Sequence, residues 1–489
     1  MTRFYGWAAA AAIFLLLGMG LAGWRADQTE WRQWQRRFHA THPDQPIDTG
    51  LRSLTPTLTG QPELCTTCHV GLAEISESHP VESFGCVVCH GGNGLALDRK
   101  RAHAGLLGGR NPSDFSVVAQ TCGQSNCHSG YDNDHADQNQ VDRVLRSLQA
   151  TYAGGIALVR FTFGAQSDQT ARYGAVAAID PDPPAGWVSE LDPLPVSSAD
   201  DLSPELAAQG VTVSNHPIDT RFRRFCLDGG CHLSEPATPQ PYRYRSTGCV
   251  ACHYIYGNDG LYQGDDPTIP RDEPGHGRRH QLTTAVPFYQ CNHCHNRGNY
   301  SLRSMTFAPR PDLPPAGKPL SPFLSRQQRR LAEYYQPIGQ FTLCEWELDC
   351  VDCHTSDEAM GNGHIAGRIA DSQVTECRTC HGTLSELPQT APITDPDERA
   401  MRQARLNGRE TLHVGDRVVV TSRGEKLWAV KEVAPGRFAE TLKVSGEILE
   451  VPLVYGSACQ QQPDQQASRY CHACHAYPRD KALEPALER

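Results

Sequence analysis

Aromatic residues make up only 8% of this 489-residue chain and hydrophobic residues 39%. A chain so polar struggles to build a conventional core, although its length alone suggests a few domains. Basic charge is also short, with 45 Lys and Arg against 55 Asp and Glu, a formal net charge of −10. That balance argues against a nucleic-acid partner, which needs a basic patch, and permits a basic protein partner. With 43 Gly and 35 Pro, long regular elements should be few. Residues 4–24 form one long charge-free apolar run. Twenty-one residues at 1.5 Å each reach about 31 Å, enough to cross the hydrocarbon of a bilayer. The competing reading is a cleaved signal peptide with Gly20-Leu-Ala22 as its cleavage site. The length of the run and an interfacial Trp24 favour a retained anchor.

Cysteine, by contrast, is plentiful, and its spacing is regular. Cys65-Thr-Thr-Cys68-His69 is followed by His79 and then by Cys86-Val-Val-Cys89-His90. The same unit recurs at Cys249/Cys252/His253, Cys291/Cys294/His295, Cys350/Cys353/His354, Cys377/Cys380/His381 and Cys471/Cys474/His475. Cys122/Cys127/His128 and Cys226/Cys231/His232 carry two extra residues in the spacer. Cys-x-x-Cys-His is the attachment signature of c-type haem. Two thiols on a short turn add to the two vinyl groups of one porphyrin, and the next histidine meets one face of the iron. Zinc sites pair Cys-x-x-Cys units without needing a histidine after each. Here every unit has one. In the longer spacers Gly, Asn and Asp permit a bulge that still lets both thiols reach. Seven standard and two expanded units predict nine covalent haems c and use 18 of the 20 cysteines.

Each iron then needs a second axial ligand. Of 21 histidines, nine follow attachment cysteines and twelve remain. His79, His103, His216, His280 and His364 are the leading candidates. His39, His42, His135, His276, His293, His413 and His472 complete the supply. Met360 lies four residues before His364, close enough to share a helix face, and is expected to pack rather than ligate. Cys344 and Cys459 are left over. In an oxidising compartment they are expected to pair, closing a loop worth about 4–5 kcal/mol in the chain-entropy account. A buried Cys344 thiol is the alternative.

These strings resemble bacterial multihaem c-type cytochromes, as do the run from Cys350 to His364 and the stretch His280-Gln-Leu-Thr-Thr-Ala-Val-Pro before Cys291. The resemblance implies mostly bis-histidine haems arranged as an electron-transfer chain, outside the cytoplasmic membrane. It implies redox proteins, or a respiratory or photosynthetic membrane complex, as partners. Multihaem nitrite reductases characteristically carry Cys-x-x-Cys-Lys, and no such motif occurs here. An electron carrier is therefore expected. An oxidoreductase acting on a small inorganic substrate at one open iron is the alternative, and a structural wire subunit of a complex or filament is a third reading.

The expected fold is mostly irregular and α-helical, with a haem-packed core of short helices and loops plus a small C-terminal antiparallel β module. Residues 1–24 are the anchor or signal. Residues 25–59 hold a juxtamembrane helix and linker, with Trp31, Trp34 and Phe38 on one stripe that continues the membrane helix. Residues 60–135 carry haems one to three. Residues 136–220 are a cysteine-free insert with a helix over 141–150. Residues 221–307 carry haems four to six. Residues 308–340 are a Pro-rich linker with a short helix over 326–335. Residues 341–390 carry haems seven and eight, 405–457 form the β module, and 458–489 hold haem nine and a polar tail.

Overall fold

The structure is a computed structural model; it describes residues 2–45, 47, 49–227, 232–235, 247–257, 260–288, 290–291, 300–301, 306–307, 340–342, 348–409 and 411–478. The expected linker and helix within 308–339 lie outside the described residues, as do Cys231, His293, Cys294, His295 and Cys344. The chain forms two compact units. One comprises Met1–Pro112, Tyr262–Glu273 and Arg278–Gln281, and the other comprises the remainder. Beyond its long first helix the smaller unit holds only short helices among the described residues, and the described sheets all lie in the larger unit.

The smaller unit begins with α1, Thr2–Asp27. It is long and apolar enough to span a membrane over Tyr5–Arg25, and no part of that span is buried by the protein. Trp7 and Phe14 are 78% and 81% exposed. The next helix, α2, covers Glu30–Thr41. The expected continuous helix is thus broken at Gln28 and Thr29, and Thr29 adopts an extended conformation ahead of α2. Trp31, Gln35 and Phe38 are buried on α2, and Trp34 is only half-buried. The stripe therefore turns toward Gln35. Its amide donates to the carbonyls of Gly50 (2.8 Å) and Thr67 (3.1 Å), which docks α2 against the first cysteine turn.

In the larger unit the insert is helical and well packed. Expected as one helix, residues 141–150 form two, Gln140–Arg146 and Leu148–Thr151. Ser147 breaks them apart because its side chain caps the second helix by accepting from Ala150 N. Ala153–Thr162 follows, burying Ile156 against Leu194, Phe222 and Leu227. A three-stranded sheet places Glu190–Pro193 between Tyr173–Gly174 and Ala178–Ile179.

The C-terminal sheet is a five-stranded antiparallel meander: β1 Thr390–Pro392, β2 Arg417–Val420, β3 Lys426–Ala434, β4 Arg437–Thr441 and β5 Ile448–Val451. Strands β2 to β5 follow the expected module. β1 starts upstream of residue 405 and was not anticipated, because a three-residue strand ending in proline carries no alternation. Side-chain alternation gives the sheet two buried faces. On one, Val418 and Trp428 pack with Ala400 and Ala404 of the helix Arg399–Leu406. On the other, Val419, Val430, Phe438 and Val451 pack with Cys380. This second face brings the sheet against one of the cysteine–histidine turns.

Candidate functional site: the cysteine–histidine turns

Four standard units, among the described residues, share one local structure. The histidine N–H donates to the carbonyl of the first cysteine at 3.0 Å for His69, 3.0 Å for His90, 3.0 Å for His253 and 2.8 Å for His354. One helical turn therefore places both thiols and the imidazole on the same side. The expanded unit closes in the same way. His128 N reaches Cys122 O at 3.0 Å although they are six positions apart. The spacer was expected to bulge. It winds instead into a 3-10 turn, Gln124–Asn126, and Cys127 ends that turn with its N–H donating to Gln124 O at 2.9 Å. The extra length is absorbed at Asn126, which adopts φ +59°, a left-handed conformation that asparagine tolerates. Of the second expanded unit, Cys226 and His232 are described and Cys231 is not.

Neighbouring segments fix where each turn starts. Glu63 accepts from Cys86 N at 2.7 Å. Ser113 Oγ accepts from Val250 N at 3.1 Å, and Ser468 Oγ from Cys377 N at 3.0 Å. Asp349 and Asp352 form a capping box on the turn at Cys350. Asp352 also accepts from Lys443 N at 2.8 Å, tying this turn to the β module. Gly248, just before Cys249, has φ +57°, and a Cβ there would strike the Ser113 carbonyl.

The imidazoles are oriented through Nδ1. His69 Nδ1 donates to Asp266 at 2.7 Å, and the Asp266 side chain is fully buried. His354 Nδ1 donates to Glu358 at 2.8 Å. His128 Nδ1 meets Gln140 Oε1 at 3.1 Å, His253 Nδ1 the Thr283 carbonyl at 2.8 Å, and His381 Nδ1 the Pro452 carbonyl at 2.6 Å. Each acceptor keeps the proton on Nδ1 and leaves the Nε2 lone pair for a metal. Metal-ligating histidines are typically oriented in this way. Burial disfavours the charged form of His69, but Asp266 outweighs it and raises the pKa. The Glu358 carboxylate raises that of His354. Burial, with His280 and His69 nearby, pushes His90 down to about 4, so its ring is neutral. His232 departs from the pattern: its Nε2 donates to the Leu227 carbonyl at 3.1 Å.

Two further histidines lie beside these rings. His103 lies with its ring centroid 6.2 Å from that of His69, and His280 with its centroid 6.0 Å from that of His90, each pair tilted. A metal–imidazole bond is about 2 Å and the ring centroid lies about 1 Å beyond the nitrogen, so two imidazoles on opposite faces of one metal have centroids about 6 Å apart. The donor set and its spacing therefore fit an iron held between two histidines.

The other expected ligands are spread more widely. His79 lies against Phe84, with Nδ1 at 3.2 and 3.1 Å from Ser76 and Ser78 Oγ. His364 has the oriented form seen above, with Nδ1 donating to the buried Asp180 at 3.0 Å. Met360 and His364 do not share a helix, because Ser356–Met360 ends at Gly361 with φ +83°. His216 caps Pro217–Phe222, its Nδ1 accepting from Ile218 N at 3.3 Å. His42 stacks on Phe38 at 4.5 Å and meets Asp265 at 3.1 Å, while His39 touches the edge of Phe38. His135 pairs with Asp132, and the exposed His413 lies 3.6 Å from Asp416. The backbone N–H of His276 donates to Gly260. The side chain of His472 is outside the described set.

Asp266, Glu358, Asp180 and Gln140 were not anticipated as site residues. Glu358 was open to recognition, since Thr355-x-x-Glu358 is a capping-box pattern just after His354. Asp266, 197 residues from His69 along the chain, gave no such signal.

The thiols draw together between turns. Cys65 and Cys86 lie side by side with Glu63, their ligand atoms within 4.8 Å of one another. Cys122 lies near Cys249, and Cys377 lies beside Cys471. Burial pushes Cys68 to about 11, Cys249 to about 12 and Cys252 to about 11, which disfavours thiolate ligation of a bare metal.

The attachment residues differ in how deeply they are covered. Cys127 is half-buried, as are Cys89 and Cys291, whereas Cys353 and Cys474 are exposed. In the turn Cys350–Cys353 the buried position is taken by Asp352, which faces Lys443, and Cys353 is left on the outer side. Cys474 and His475 end the helix Ser468–His475, and His475 is exposed as well. Among the described residues no acceptor orients the His475 ring as Asp266 orients that of His69.

Among the described residues no two cysteines are bridged, and Cys459 is an exposed thiol. Compared with protein families, curated proteins and solved structures, the chain matches none.

Proposed function

We propose that this chain is a membrane-anchored multihaem c-type cytochrome that relays electrons outside the cytoplasmic membrane, between a membrane-associated donor and another redox protein or acceptor. The observation that carries this reading is the pairing of His69 with His103 and His90 with His280, at ring-centroid separations of 6.2 and 6.0 Å that two histidines on one iron would have. The nine Cys-Cys-His units support the cofactor load. Covalently held haem supplies reversible one-electron chemistry.

The chain's own residues do the rest. Cys65 and Cys68, and their counterparts in the other turns, would hold the porphyrin covalently. His69 with His103, and His90 with His280, would hold an iron between them. An iron so held would keep no open position for a substrate, which would suit a carrier better than a catalyst. The adjacency of Cys65 with Cys86, Cys122 with Cys249 and Cys377 with Cys471 supports neighbouring cofactors in pairs. Helix α1 supports anchoring, and haem attachment implies that the bulk of the chain lies on the far side of the cytoplasmic membrane.

The test is ligand substitution. His103→Ala and His280→Ala should each convert one low-spin haem to high spin by electron paramagnetic resonance, and His413→Ala should convert none. If the two variants keep the wild-type spin balance, the ligand assignment is wrong.

A further inference from the structure

The acceptors behind the proximal histidines differ in charge. Asp266 and Glu358 are carboxylates, whereas Thr283 and Pro452 offer neutral carbonyls and Gln140 an amide oxygen. Both carboxylates are held in place. Asp266 Oδ2 accepts from His69 Nδ1, while Oδ1 accepts from Thr268 N at 2.9 Å and Thr268 Oγ1 at 2.8 Å. Thr268 Oγ1 also lies 2.9 Å from His69 Nδ1. Glu358 accepts from Val374 N and Thr375 N, each at 2.6 Å, through the oxygen that does not face His354. The Asp266 side chain is fully buried and that of Glu358 is 5% exposed, so solvent screens neither.

Resting on the electron-relay reading, we infer that Asp266 and Glu358 are potential-setting residues, holding the irons of His69 and His354 at lower potential than those of His253 and His381. A carboxylate on Nδ1–H gives the imidazole anionic character and makes it a stronger donor. A stronger donor stabilises the ferric state over the ferrous. A neutral carbonyl does this less. The chain would thereby place one low-potential iron in each of its two units, with the proton staying on Nδ1 in both oxidation states. Asp266 and Glu358 touch a ligand and not the iron, so their role is positioning and tuning.

The experiment is redox titration of the intact anchored protein in detergent, with haem count measured first. Asp266→Asn keeps the shape and removes the charge. It should shift one component toward the ferrous form by about tenfold, about 59 mV for a one-electron couple. Asp266→Glu should restore the wild-type position at least in part. Glu358→Gln should shift a different component in the same direction. Should Glu358→Gln fail to fold, because Val374 N and Thr375 N lose their anionic acceptor, Asp266→Asn alone decides. A full haem count with superimposable curves for wild type and Asp266→Asn overturns this inference and leaves the relay reading standing. A protein without haem overturns the relay reading itself.

Discussion

Glu440 offers a quantitative test of how the β module meets the turn at Cys350. It lies on β4 with its side chain buried, and burial, with Asp352 nearby, raises its pKa from 4.5 to about 7. Lys443 offsets this only partly. The folded state therefore binds a proton that the unfolded chain releases between these two values. In that window the folded state holds more protons, so stability falls as pH rises from about 4.5 to about 7 and levels off above. At about 1.4 kcal/mol per pH unit the difference amounts to about 3 kcal/mol. Glu440→Gln removes the ionisable group and keeps the size. The variant should match the wild type near pH 4.5 and exceed it by about 3 kcal/mol at pH 8. Denaturant unfolding, followed through the sheet signal at both pH values, reads this directly. A gap between the two proteins that is the same at both pH values would refute the argument.

Other expectations follow from the packing. Asp357 bridges the buried Arg143 and Arg399, so Asp357→Ala should cost about 3–5 kcal/mol by leaving a buried guanidinium without its partner, read as a lower unfolding midpoint. Gly248→Ala should destabilise by about 2 kcal/mol through left-handed backbone strain alone; the clash with the Ser113 carbonyl adds to this, and haem occupancy at Cys249 should fall with it. Replacing residues 2–27 with a cleavable secretory signal should move the protein from the membrane to the soluble fraction with its absorption spectrum unchanged, which fractionation of cells can check.

What could be read from the sequence was what is local. A cysteine-histidine unit spans five or seven residues, so all nine units were visible at once. How deeply each turn is covered was not, because that depends on neighbours. Cys380 packs under the β module while Cys353 and Cys474 face outward. The strands β2 to β5 declared themselves by alternation between turns. Helix α2 was visible as a stripe, yet the break at Gln28–Thr29 and the burial of Gln35 depend on what the helix docks against. The ligand pairing lay beyond reach for the same reason. His280 is brought to His90 by a segment returning to the smaller unit from 190 residues away. His79, closest in sequence to both turns, is instead held beside Ser76 and Ser78. Asp266 and Asp180 acquire meaning only because the fold carries them to His69 and His364.

The most direct measurement is the intact mass of the protein purified from its membrane, taken together with its reduced-haem absorption. The account predicts a mass above that of the polypeptide by nine haem groups, retained after denaturation because the bonds are covalent. A mass equal to the bare chain, with no sharp bands on reduction, would contradict it.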